Sequence, residues 1–177
     1  MSDVFVSVGT DHHPFERMLD WAEMLHGQLG LDVLVQRGAT PARNNLRSVD
    51  YLSQPDLRAE LSSTKSVVCH GGPGTIAVAM EHGHRPVVVP RNPSRGEHVD
   101  DHQMRYAAEL ERQGVIDIAR SSVDLIRMLS EPRPVSVPDV SRSTAAVSEF
   151  ERLVGDLLAG TAPKRRLRDR VLIRRTK

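Results

Sequence analysis

SVVCHGGPGTIAVAM, residues 66–80, decides the reading of this chain. The strand-like run Ser66-Val67-Val68-Cys69 stops at His70 and enters a turn containing Gly71, Gly72, Pro73 and Gly74. Thr75 then opens an amphipathic segment over residues 75–82 that reads as a helix. Glycines let the backbone approach a ligand closely, and a helix start offers unpaired N–H groups and a positive dipole end. An α/β protein holds a phosphate at such a junction. A second apolar run, residues 86–90, leads into the polar, histidine-bearing loop RNPSRGEHVDDHQ, residues 91–103. Two strand-end loops this close in sequence predict a nucleotide-sugar site.

Outward from this unit the chain alternates regularly. Val4-Phe5-Val6-Ser7-Val8 reads as a buried first strand, ended by Gly9-Thr10. Phe15, Met18, Leu19, Ala22, Leu25 and Leu29 recur at helical spacing until Gly30. Val33-Leu34-Val35 gives a second strand and residues 49–52 a weaker third. Pro55 suits the start of a short helix ending near Ser63. Residues 67–69, 87–89 and 115–118 complete six strands, with helices expected over 75–82, 99–113 and 122–129. Short β-rich runs separated by helices predict a Rossmann-like, doubly wound parallel α/β sheet. Pro132, Pro134 and Pro138 mark a linker, and apolar spacing predicts a last helix over about 142–159. The expected organisation is one domain over 1–160 and a basic, disordered tail over 161–177.

Composition narrows the function classes. At 177 residues and 39% hydrophobic, the chain can bury one core. Only 3% is aromatic, which argues against a stacking platform for nucleic acid. Cys69 is the sole cysteine, so no internal disulfide forms. No run approaches the roughly 18 apolar residues of a membrane span, and a cytoplasmic protein is expected. Charge is uneven. Taking Lys164, Arg165, Arg166, Arg168, Arg170, Arg174, Arg175, Lys177 and Asp169 from 24 basic and 23 acidic residues leaves a body of 16 and 22. The tail is thus about +7 and the body about −6. Such a tail is either a solvated end or a contact to anionic lipid at the inner face of a membrane.

In a parallel sheet, ligands bind at the carboxyl ends of the strands. The polar exits Gly9-Thr10-Asp11-His12-His13, Gln36-Arg37-Gly38, His70-Gly71-Gly72 and Arg91-Asn92 fall on one such edge. That convergence predicts a binding cleft.

Three ordered segments, FVSVGTDHHPFERML, VLVQRGAT and HGGPGTIAVAMEHGHRPVVVPRNPSRGEHVDDHQ, resemble family 28 glycosyltransferases over about residues 4–120. The likeness is to a short subgroup equivalent to the carboxyl-terminal half of the two-domain GT-B fold. That subgroup includes PssE-type exopolysaccharide subunits and the catalytic subunit of the dolichol-pathway N-acetylglucosamine transferase. The resemblance implies inverting transfer of a sugar from a UDP-sugar, a substrate, to a lipid-linked acceptor, with no cofactor and no metal. Gly71, Gly72, Gly74 and Thr75 would hold the diphosphate through backbone N–H groups and a hydroxyl. His70 would sit beside the phosphates, as a catalytic candidate or as a strand-end histidine bonded to backbone. Gly9 and Thr10 match the first glycine-bearing loop. Asp101, His102 and Gln103, with His98 just before them, lie where the family meets the donor sugar. Tyr51 and Leu52 fall near the segment that cradles uracil and ribose.

The chain also departs from the family. Val78 occupies the position where many members carry a glutamate for the ribose hydroxyls, with Glu81 one turn on. Arg91 and Arg95 flank the donor loop, and a bidentate arginine would suit a glucuronate carboxylate. His98 and His102 have i,i+4 spacing, which on a helix would present both imidazoles as a zinc pair, although no third ligand is specified. His12 and His13 follow the first strand, and His13 is a candidate general base.

Half a cleft can hold a UDP-sugar but orients an acceptor poorly. The resemblance therefore implies a membrane-associated partner subunit supplying the amino-terminal half, or a homodimer in isolation, and no nucleic acid. Two other classes stay open: a non-catalytic nucleotide-sugar-binding or enhancer subunit, and a stand-alone α/β hydrolase or binding protein. The lack of a G-x-S-x-G elbow counts against common hydrolases.

Overall fold

A computed structural model describes residues 2–131. Six parallel strands form one sheet: β1 (Val4–Ser7), β2 (Val33–Gln36), β3 (Arg47–Val49), β4 (Ser66–Cys69), β5 (Val87–Val88) and β6 (Asp117–Ile118). Their order is β3-β2-β1-β4-β5-β6, so the chain reverses direction across the sheet at β1 and β4. Every register is parallel, for example Val6↔Val35 and Val6↔Val68 around the central strand. The helices are α1 (Glu16–Leu29), α2 (Gln54–Ser63), α3 (Pro73–Glu81), α4 (His102–Arg112) and α5 (Ser122–Ser130).

Strand alternation assigns the two faces. Val4, Val6, Val33, Val35, Val68 and Val87 pack with Met18, Leu19, Ala22 and Leu25 of α1 and Leu125 of α5. Phe5, Leu34 and Val67 point the other way, against Leu57 and Leu61 of α2 and Ala79 of α3. Cys69, Val88 and Ile118 continue that face under Ile76, Ala107 and Leu110. Both faces are covered, so the strands read as near-continuous apolar runs.

Local chemistry sets the helix ends. Gly30 takes a left-handed φ of 64° and its N–H closes α1 on the His26 carbonyl. Ser53 caps α2 by accepting from the Asp56 N–H, and Pro55 sits in the first turn, where it removes no helix hydrogen bond. Three of the boundaries that differ from expectation bear on the site. The third strand lies at 47–49, which leaves Tyr51 and Leu52 in the loop beyond it. Helix α3 opens at Pro73 rather than Thr75, because proline suits the first helical position. Helix α4 opens at His102 rather than Val99. Residues 93–101 are taken by a 3-10 turn and by an aspartate turn in which Asp100 Oδ1 accepts from the His102 N–H at 3.0 Å. No helix among the described residues is long and apolar enough to cross a membrane. The expected last helix over 142–159 and the tail over 161–177 lie outside the described residues.

Candidate functional site

A cleft of about 390 Å³ opens at the carboxyl edge of the sheet, at the strand-order reversal. Gly9 and Thr10 line it from the β1 exit, and Gln36 from the β2 exit. The β3–α2 loop and α2 supply Tyr51, Leu52, Gln54 and Leu57. The β4–α3 junction supplies His70, Gly72, Pro73, Gly74, Thr75 and Val78. Eight of the residues nominated from sequence therefore meet in one space: Gly9, Thr10, Tyr51, Leu52, His70, Gly72, Gly74 and Thr75.

Gly72 is the N-cap of α3 and has no side chain with which to cap it. The helix's first intrahelical bond joins the Ile76 N–H to the Gly72 carbonyl at 3.2 Å. The amides of Gly74 and Thr75 precede that bond, so this end of the cleft combines first-turn amides with a helix dipole. Among the described residues, none that lines the cleft is an aspartate, glutamate, lysine or arginine.

His70 is buried, and its ring packs against two glycines. A Cβ added at Gly9 would lie 2.4 Å from His70 Nε2, and one at Gly72 would lie 2.1 Å away. Gly9 also has φ +84°, a conformation that only glycine adopts readily. His70 Nδ1 stands 3.3 Å from the Ser7 carbonyl, which can only accept, so Nδ1 carries the proton. Burial, followed by the nearby Arg91 charge, pushes the imidazole down to about 4. His70 is a neutral wall at physiological pH and a poor proton acceptor.

Gln36 was visible only as a polar strand exit, yet it organises the cleft floor. Its buried amide accepts from the Leu52 N–H at 3.1 Å and donates to Ser7 Oγ at 3.3 Å. The signal for it was an amide closing an otherwise apolar strand.

Gly71 does not line the cleft. Its φ is +90°, and a Cβ there would meet Val88 Cγ1 at 3.3 Å and Gln103 Cβ at 3.5 Å. It seats the glycine turn against the β5 exit and the start of α4. Gln103 Oε1 accepts from the Arg91 N–H at 3.3 Å, so Gln103 joins that packing rather than the cleft lining.

Beside the cleft lies a second cluster, on the β1–α1 and β5–α4 loops. Arg91 braces it from inside. The side chain is fully buried, with Nη1 donating to the His13 and Glu97 carbonyls at 2.8 and 2.9 Å and Nη2 to the Val8 carbonyl at 2.9 Å. Its guanidinium lies 4.7 Å from the Phe15 ring centre. The expectation that Arg91 clamps a sugar carboxylate is therefore corrected: the guanidinium is committed to the protein's own carbonyls. Glu97 adds a second brace, accepting from Arg17 Nε and Nη2 at 2.8 and 2.7 Å and from the Asn92 N–H at 2.8 Å.

On this frame Asp11 Oδ1 meets His13 Nδ1 at 2.6 Å and the His13 N–H at 2.7 Å. Asp11 Oδ2 faces His98 Nε2 at 3.5 Å, and Asp100 Oδ1 lies 2.6 Å from His102 Nδ1. His98 and His102 do not share one helical face, because the helix begins at His102. His98 turns to the β1–α1 loop instead. Asp101 is exposed and pairs with Arg105 at 3.0 Å. Among the described residues, His13, His98, Asp101 and His102 thus stand outside the cleft lining.

A family profile described as "Glycosyltransferase family 28 C-terminal domain" matches residues 4–145. No match was found among curated protein sequences. Solved structures with a similar fold include the glycotransferase of kitacinnamycin, at 18% identity and a TM-score of 0.55 over 90% of this chain and 43% of that one. The calicheamicin glycosyltransferase CalG4 aligns at 16% identity and 0.56, over 92% and 40%. The spinosyn forosaminyltransferase SpnP aligns at 21% and 0.56, over 90% and 43%. This chain thus spans about two-fifths of the length of each. With the profile covering most of its length, the chain belongs to the glycosyltransferase family 28 C-terminal domain family.

Proposed function

We propose that this chain is the donor-binding half of an inverting glycosyltransferase that takes a UDP-sugar in the cleft. The observation that carries the reading is the open amino-terminal end of α3, at a cleft that no charged side chain lines among the described residues. As the bond from the anomeric carbon to UDP breaks, charge grows on the diphosphate. First-turn amides, the Thr75 hydroxyl and the helix dipole are suited to meet it without a metal at the phosphates. The acceptor hydroxyl bonds to the anomeric carbon from the opposite face and gives its proton to a base outside the cleft. A lipid-linked acceptor and a membrane-associated partner supplying the acceptor half complete the proposal.

A second reading, a nucleotide-sugar-binding subunit whose partner performs the chemistry, draws support from His70. Among the described residues that line the cleft, the buried imidazole is a poor base and no carboxylate stands in for it. Calorimetry with UDP tests donor binding in both readings. Transfer assays in the presence of the partner separate them: Thr75→Val abolishes transfer by a donor-binding half and leaves a partner-catalysed reaction with its own donor site intact.

A further inference from the structure

The histidines of this chain divide into two sets. Ring nitrogens of His26, His70, His82 and His84 lie within hydrogen-bond reach of the backbone carbonyls of Leu31, Ser7, Val78 and Leu61. That is how a histidine is ordinarily satisfied. His13, His98 and His102 instead face carboxylates. Asp11 is the hub, with His13 on one oxygen at 2.6 Å, His98 on the other at 3.5 Å and His12 Nδ1 at 3.9 Å from the first. His98 arrives from a loop more than 80 residues away in sequence. The ligand atoms of Asp11, His12 and His13 lie within 4.8 Å of one another.

We propose that Asp11, His12, His13 and His98 form a binding site for a zinc-class transition-metal ion, bridging the β1–α1 and β5–α4 loops. Three imidazoles and one carboxylate are a donor set suited to zinc, cobalt or nickel and poorly suited to calcium or magnesium. With bonds of about 2.0–2.2 Å, tetrahedral ligand atoms stand about 3.3–3.6 Å apart, within about 1.5 Å of the spread of the Asp11, His12 and His13 ligand atoms, and His98 Nε2 already lies 3.5 Å from Asp11 Oδ2. The frame is built in advance, since Arg91 holds the His13 and Glu97 backbones together. The Asp11 and Glu97 carboxylates offset the buried guanidinium. Asp11 stays below the usual carboxylate range because the His13 bonds outweigh its partial burial. A bound ion would occupy His13 Nδ1 and leave the other ring nitrogen protonated, so the site replaces a general-base role for His13. The ion would sit on the loop pair, held by residues outside the cleft lining.

The test uses the untagged full chain, stripped of metal with a chelator and titrated with cobalt(II) and then zinc(II), without nucleotide. One equivalent of cobalt should produce visible d–d absorption that zinc displaces. Asp11→Asn and His98→Ala should each weaken binding by at least about tenfold. Melting of the metal-free proteins checks their folding, and His98→Gln serves if the alanine protein melts early. Absence of saturable binding below about 100 μM, or wild-type affinity in Asp11→Asn or in a folded His98 variant, overturns the proposal. Because no nucleotide enters the experiment, that failure leaves the donor-cleft reading standing.

Discussion

The cleft and the loop cluster share one edge of the sheet but use opposite chemistry. The cleft is built from absences: glycines where side chains would block, a helix end without a capping side chain, and a histidine stripped of charge by burial. The loop cluster is built from charge, with a buried arginine inside and alternating carboxylates and imidazoles outside. Backbone dipoles can meet a diphosphate only where nothing else intrudes, which is why the cleft tolerates so little. The cluster draws its order from side chains that substitution can remove one at a time.

The sharpest way to break this contrast is Gly72→Ala. Its Cβ would lie 2.1 Å from His70 Nε2, so it should cost about 3 kcal/mol in denaturant unfolding and abolish UDP binding. Gly74→Ala is the control, because a Cβ there meets nothing within 4 Å. It should keep the melting temperature and still lose UDP affinity, since Gly74 lines the cleft and the added methyl group takes up space there.

Acid should expose the buried histidine next. The unfolded chain protonates His70 near 6.5 and the folded chain near about 4. The unfolded state therefore binds more protons between these values, and stability falls as pH drops through the window, by about 3 kcal/mol at most. Unfolding free energies at stepped pH check this, and His70→Asn should flatten the dependence over the same range.

Arg91→Met leaves three carbonyls without their donor. It should cost about 2 kcal/mol and disturb the loop cluster more than the cleft, lowering metal affinity with a smaller change in UDP affinity. The smallest effect belongs to the exposed Glu109–Arg112 pair on α4. Glu109→Gln should leave the melting temperature and both sites' affinities essentially unchanged, as melting and both titrations would show.

Periodicity made the six-stranded parallel sheet legible, because strands covered on both faces leave runs such as Val33-Leu34-Val35 that little else explains. The cleft was legible where glycine and strand exit coincide, at Gly9, Gly72 and Gly74. Arg91 was misread because an arginine after a strand looks like a ligand clamp, and only three-dimensional packing reveals the carbonyls of Val8, His13 and Glu97 around it. The start of the helix after His98 was placed too early for a related reason: the Asp100 turn delays it to His102, which no apolar period signals. Convergence of Asp11 and His98 depends on two loops distant in sequence, so no local pattern records it.

The central claim is that the glycine turn and the open end of α3 bind the donor's diphosphate. Calorimetric titration of the purified chain with UDP, repeated with Thr75→Val, tests it most directly. Saturable binding by the wild-type chain that weakens at least about tenfold, or about 1.4 kcal/mol, in Thr75→Val is the predicted result. Binding that Thr75→Val leaves unchanged, or no binding up to millimolar UDP, would contradict it.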